Sequence, residues 1–290
     1  MDILIFLNDV FRTLPGVAVV IFYVVVLWWV FDLMTPFNDR EELFHKNNLA
    51  YLLQRLGLVA GQVIAMLAVI PDFDVDHPWE SAGWLLLEGL WVAIALITAR
   101  WFVDWVILRK TKNQELLLKG NLGVGIAEAG AYVGIGLLLG GSLTGTAETA
   151  WLSLASTVIF YLLGLLFVAA VFWLYELATP YHLRRNLEEG SVPAGIELAG
   201  VFVAACVAVQ VGVAGDFESW GSDLGWFFVT AFIAVLLLGI IWGASLLLER
   251  AFWHVTKEQR KLTPTVTVAT LRAGMMILSG VVTATVLNLT

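Results

Sequence analysis

The sequence predicts an all-α membrane protein: eight transmembrane helices built as four helical hairpins of about 72 residues and grouped into two parallel four-helix halves. Three observations predict it. Hydrophobic residues make up 60% of the 290 residues and charged residues 14%, against about 45–50% and 25% in soluble domains. Apolar runs, each able to cross a hydrocarbon core with roughly 20 helical residues, recur eight times along the chain. Basic residues then gather in alternate connections, as insertion of a multi-pass protein requires.

The spans are placed near 15–35, 48–70, 82–107, 121–141, 151–178, 192–214, 224–248 and 265–288. Pro36, Pro71, Pro78, Pro180, Pro193 and Pro264 fall at or near their ends, where a missing N–H costs least. No run alternates with period two, which argues against a barrel. Asp2 stands where a secretory signal would be basic, so the start does not read as one. Residues 2–14 are weakly amphipathic and read either as a short interfacial helix or as a frayed start to the first span.

Connections after the odd-numbered spans hold twelve of the sixteen basic residues: Arg40 and Lys46; Arg109, Lys110, Lys112 and Lys119; Arg184 and Arg185; Arg250, Lys257, Arg260 and Lys261. Connections 71–81, 142–150 and 215–223 hold none. The positive side stays cytoplasmic, so a bacterial inner-membrane location with both termini outside the cytoplasm is expected. A net charge of −8 leaves no basic stripe for nucleic acid. The single cysteine, Cys206, excludes an intramolecular disulfide.

The odd spans end alike. Trp29–Asp32, Trp101–Asp104 and Trp173–Glu176 are each 72 residues apart, and Leu246–Glu249 follows 73 later. Each of those acids is followed by a glycine in the next span: Gly57, Gly130, Gly200 and Gly274. A longer period relates the stretch from Trp29 to Thr35, Pro36 and Phe37 to that from Trp173 to Thr179, Pro180 and Tyr181, 144 residues on. The chain therefore divides into four-span units at 1–145 and 146–290. An even number of spans per unit makes the halves parallel, not inverted.

Thr35, Pro36 and Asn38, followed by Lys46, Asn47 and Asn48, give the chain a resemblance to the YjfL-like family of bacterial inner-membrane proteins (domain of unknown function 350). Lys119, Gly120 and Asn121 look like a second copy of that family's opening to an even-numbered helix. The resemblance implies a four-span unit with outside termini, here duplicated, and brings no activity with it. In the second half, Glu189–Ser191 and Thr263–Thr265 depart from the pattern.

Charges inside the even-numbered spans are the strongest local signal. Arg55, Glu128 and Arg272 lie two residues before the repeat glycine and Glu197 three before it, all about 10 Å in from the cytoplasmic side. An isolated charge there costs at least about 2.5–3.5 kcal/mol, so these groups should meet each other or water. Two Arg–Glu pairs binding the even helices together are the plainer expectation; a charge-lined ion or proton path is the functional one. The repeated acids Asp32, Asp104, Glu176 and Glu249 form a candidate cytoplasmic acidic ring at a pore mouth, or each ends its own helix.

Asp72, Asp74 and Asp76 open like a calcium loop, but His77 and Gly83 stand where the loop needs glycine and glutamate, so the metal signal is weak. Glycine pairs such as Gly57/Gly61, Gly130/Gly134 and Gly136/Gly140 read as close helix contacts. Glu88, Gln54, Gln62 and Gln210 add polar groups within spans, and most tryptophans mark membrane interfaces. No nucleophile–base set, dinucleotide fingerprint or cofactor motif is present, so an enzyme is not expected. The expected function is a channel or transporter for an ion or small solute. The alternative is a scaffold or accessory subunit whose buried Arg–Glu pairs are structural. Beyond the lipid bilayer, expected partners are another membrane or cytoplasmic protein, or a second copy in a homodimer.

Overall fold

A computed structural model of the chain describes residues 3–35, 38–70, 73–108, 113–253 and 264–288. Its helices are α1 (Ile3–Met34), α2 (Leu49–Leu67), α3 (Pro78–Ile107), α4 (Asn113–Leu118), α5 (Leu122–Leu143), α6 (Ala150–Ala178), α7 (Leu183–Glu188), α8 (Val192–Val213), α9 (Trp220–Trp253) and α10 (Val266–Leu287). There is no strand among the described residues. Eight of these helices are long and apolar enough to span a membrane, and the short α4 and α7 lie in connections after α3 and α6. Residues 3–34 form one continuous helix, so the separate interfacial helix considered for 2–14 is not formed.

The even-numbered spans α2, α5, α8 and α10 form a tightly packed row, and the odd spans flank it. α3 packs on α2 and α5, α6 on α5 and α8, and α9 on α8 and α10, each seated between successive row members. Row helices have 19–22 residues, roughly 29–33 Å at 1.5 Å per residue, close to the hydrocarbon thickness. The flanking helices have 29–34, roughly 44–51 Å, long enough to tilt or project beyond the core.

One contact recurs along the row. A methyl on Gly57 would overlap Ala129, one on Gly130 would overlap Ala199, and one on Gly200 would overlap Ala273. Each repeat glycine therefore seats against the alanine just before the next repeat glycine. Without lipid-excluding hydrophobic force between helices, such backbone approach is what dispersion needs to hold them. Gly274, at the end of the series, faces open space.

Every row helix begins on a capping side chain: Asn48, Asn121, Ser191 and Thr265 accept from the N–H three residues on. The two asparagines also reach the following hairpin, Asn48 Nδ2 donating to the Leu117 carbonyl and Asn121 Nδ2 to that of Leu187, both at 2.8 Å. Ahead of them Asn47 (φ 49°) and Gly120 (φ 75°) take the left-handed conformation that ends the preceding turn. Lys46 donates to Glu42 at 2.7 Å, Asn38 accepts from the Arg40 N–H, and Lys119 is exposed. The motif of Asn48 and Asn121 thus caps one helix and ties each repeat to the next.

Candidate functional site

Two polar clusters lie at equivalent places in the halves, near the basic connections. In the first, Arg55 on α2 is fully buried and donates to Asp39 (2.8 Å), Tyr51 Oη and Thr35 (3.4 Å), with its guanidinium 5.5 Å from the centre of the Phe31 ring. Tyr51 in turn donates to Asp39 at 2.5 Å. In the second, Glu197 on α8 accepts from Arg272 (3.0 Å), Tyr175 (3.3 Å) and Tyr181. Arg272 grips Glu249 with two nitrogens, at 2.7 and 3.0 Å, a bidentate pairing that fixes geometry as well as charge.

The expected pattern of two Arg–Glu pairs is therefore met once. Arg272 pairs with Glu197, but Arg55 does not bind Glu128; it turns to the end of α1 and takes Asp39 in its place. Glu128, on α5, is 2% exposed and accepts from Gln54 Nε2, at 2.6 Å, while its Oε1 makes no well-formed hydrogen bond. Asp104 and Arg100 lie within electrostatic range of it. Asn113, wholly buried at the start of α4, faces the same carboxylate with neither amide atom in a well-formed hydrogen bond.

Further buried polar atoms of the first half also lack a well-formed hydrogen bond. They include Arg55 Nε and Nη1, Asp39 Oδ2, Tyr132 Oη, both amide atoms of Gln62, and Trp91 Nε1. Buried polar groups are normally satisfied, so this concentration in one half requires an explanation. No such deficit surrounds Glu197 and Glu249, whose carboxylate oxygens are engaged.

The four repeated acids do not assemble into a ring. Asp32 accepts the Asp39 N–H at 3.1 Å, Glu176 pairs with Arg184 at 2.9 Å, Glu249 with Arg272, and Asp104 stays near Arg100 and Glu128. Hairpins in a row spread equivalent positions along a line, so each acid finds a local partner. In the acidic connection, Asp72 lies outside the described residues, as do Pro36, Arg109, Lys110, Lys112, Lys257, Arg260 and Lys261. Asp74 contacts His77 at 2.8 Å and Asp76 pairs with Arg12 at 2.7 Å. Among the described residues, no three His, Cys, Asp or Glu side chains converge as metal ligands.

The sequence reading missed Asp39, Tyr51, Asn113, Tyr132, Tyr175 and Tyr181. Signals for three of them existed: Tyr51 and Tyr132 stand four residues from Arg55 and Glu128, one helical turn away. Tyr181 answers Phe37 in the 144-residue repeat, a phenol replacing a phenyl.

The fold and its clusters define a multi-pass membrane protein made from a duplicated four-helix unit. The family described as Domain of Unknown Function (DUF350) matches residues 5–143 and again 149–287, and the chain belongs to that family. It is also 23% identical over 206 residues to the "UPF0719 transmembrane protein" of Aquifex aeolicus (strain VF5), covering 70% of this chain and 74% of that protein. No solved structure matches the chain.

Proposed function

We propose that the chain passes a proton or small monovalent cation through its first half, in a bacterial inner membrane with the basic connections in the cytoplasm and both termini outside. Glu128 is the carrier carboxylate. The observation that carries this reading is the Glu128 carboxylate, buried against Gln54 and Asn113 with no ion pair at hydrogen-bond distance among the described residues, at the place where the second half puts Arg272 against Glu249. A buried acid without an ion-pair partner needs a proton, a cation or water, whereas one gripped by a base does not.

The unmatched atoms supply a course for it. Gln54, Glu128, Tyr132 and Gln62 lie about 8, 9, 15 and 20 Å along their helices from the basic side. Trp91, on the antiparallel α3, continues the series outward. Hydroxyl, amide and carboxyl groups in such a series can hold a file of water along which protons or small ions move.

The test is flux into sealed vesicles carrying the purified protein, under an imposed proton or potassium gradient. Glu128→Gln should abolish passage, and Glu197→Gln should leave it while lowering thermal stability. Absence of flux at every gradient, or unchanged flux in Glu128→Gln, removes the proposal. The saturated Glu197–Arg272–Glu249 cluster favours a second reading, a scaffold whose charges only hold helices together. That reading expects a membrane or cytoplasmic protein, or a second copy of the chain, to stay bound through purification in mild detergent.

A further inference from the structure

A separate cavity of about 270 Å³ opens on the face opposite the basic connections, between the ends of α5 and α8 and the starts of α6 and α9. We propose that it binds a small primary amine in its ammonium form. This site is independent of the Glu128 path.

Three of the hydroxyls that line it have already given their protons away. Ser142 donates to the Leu139 carbonyl (2.8 Å), Thr144 to Gly141 (2.7 Å) and Ser156 to Ser153 (2.9 Å). What these three can still offer a ligand is lone pairs, so they recognise donors and not acceptors. Ser142 and Ser156 are themselves more than nine-tenths buried, which makes them fixed parts of the wall.

The rim adds negative charge with no base to cancel it. Asp216, Glu218 and Asp223 line the opening, and no Lys, Arg or His does. Asp216 Oδ1 is held by the N–H and hydroxyl of Thr146 (2.6 and 2.9 Å), and these bonds keep its carboxyl below the usual carboxylate range. Asp223 Oδ2 accepts from the N–H groups of Glu218 and Ser219 (3.0 and 3.2 Å). One oxygen of each aspartate and the whole Glu218 carboxylate remain uncommitted among the described residues. The Phe217 N–H donates to the Thr146 carbonyl at 2.8 Å, fastening the two loops into a single rim. Phe160 and Trp226 complete the walls with ring surface suited to a cation.

Size decides between cation classes. Water takes roughly 30 Å³ in the liquid, so the cavity has room for a body of several heavy atoms. A bare metal ion wants oxygens at about 2.0–2.6 Å on all sides, which so roomy a space does not supply. An alkylammonium can place its N–H groups on the acceptors and its carbon chain against Phe160 and Trp226.

The experiment is isothermal titration of the full chain in detergent at neutral pH and low salt, with 1,4-diaminobutane, tetramethylammonium, magnesium and glycerol as separate probes. Saturable binding of the diamine is expected, with Glu218→Gln weakening it about tenfold for one lost charge-assisted hydrogen bond. Trp226→Leu should weaken it as well, and Glu80→Gln in the other acidic connection should not. The proposal fails if the diamine does not bind, or if neither site variant changes its affinity. It fails equally if tetramethylammonium, which has no N–H, magnesium or glycerol binds as tightly.

Discussion

Replacing Arg272 with methionine tests whether the second-half cluster holds helices together. The guanidinium, 12% exposed at its side chain, makes two bonds to Glu249 on α9 and one to Glu197 on α8. It therefore joins three helices. Methionine keeps much of the aliphatic volume but leaves two carboxylates buried without their cation. Breaking a buried ion pair from one side typically costs about 3–5 kcal/mol. Tyr175 and Tyr181 still donate to Glu197, which holds the expected loss near the lower end, about 3 kcal/mol. The triple variant Arg272→Met, Glu197→Gln, Glu249→Gln removes all three charges and should recover most of that loss, since replacing a whole buried ionic cluster is often neutral. Glu128→Gln should stay within about 1 kcal/mol of the parent, because Gln54 can still donate to the amide oxygen and no ion pair is lost. Tryptophan-fluorescence unfolding in mild detergent orders the four proteins. Equal stability of Arg272→Met and the parent, or no recovery in the triple variant, would refute the reasoning.

The packing of the row predicts a sharp asymmetry between glycines: Gly130→Val drives a side chain into the backbone of Ala199 and should cost 3 kcal/mol or more, on the order of severe overpacking. Gly274→Val faces open space and should fall within about 0.5 kcal/mol, as surface changes do; monodispersity on gel filtration after mild heating separates the two. Asn121→Ala loses a helix cap and the tie to the Leu187 carbonyl, which keeps the Gly190 N–H, about 2 kcal/mol together, whereas Ser191→Ala loses a cap alone, about 1 kcal/mol; chemical denaturation measures both. At the exposed end of α3, the hydrogen bond and charge of Asp74 raise the pKa of His77, and His77 lowers that of Asp74. The His77 contribution is full below its unfolded value of about 6.5 and is lost as pH rises through the higher folded value. That of Asp74 is present above about 3.9 and is lost as pH falls through its lower folded value. Asp74→Asn should move the His77 imidazole titration, followed by NMR, back toward lower pH.

The fold was legible because membrane insertion writes its rules in composition. Span length follows from the thickness of the hydrocarbon core and the 72-residue spacing from repetition of one hairpin, and they agree with the eight helices and the doubled family match. The depth of Arg55, Glu128, Glu197 and Arg272 could be counted for the same reason, at 1.5 Å per residue from each helix start. Partner choice could not. A count along a helix gives height but no azimuth, and whether Arg55 meets Glu128 or Asp39 depends on how α2 rotates when Gly57 seats on Ala129. The acidic ring failed for a related reason. Four equal repeats are compatible with a closed circle or an open row, and side-chain spacing within one hairpin does not contain the angle between hairpins. The cavity between α5, α6, α8 and α9 needed contacts between loops some 70 residues apart, such as Thr146 with Asp216.

Duplication gives the charges their meaning. The position two residues before the repeat glycine carries Glu128 in the first half and Arg272 in the second; Arg272 grips Glu249 at the end of the preceding long helix, and Glu128 lies within electrostatic range of the corresponding Asp104. In the second half the signs are opposite and the site closes on itself. In the first they are alike, and Arg100, within electrostatic range of both acids, offsets only from a distance what Arg272 achieves by direct contact in the second. A fold selected only for stability has no use for the like-signed arrangement, because an apolar residue at 128 would pack without any electrostatic cost. The closed copy can supply rigidity to a shared row, since α5 and α8 pack directly on each other. That support lets the neighbouring copy keep a costly buried carboxylate, and the flux of Glu128→Gln against that of the parent decides whether the cost serves the proposed passage.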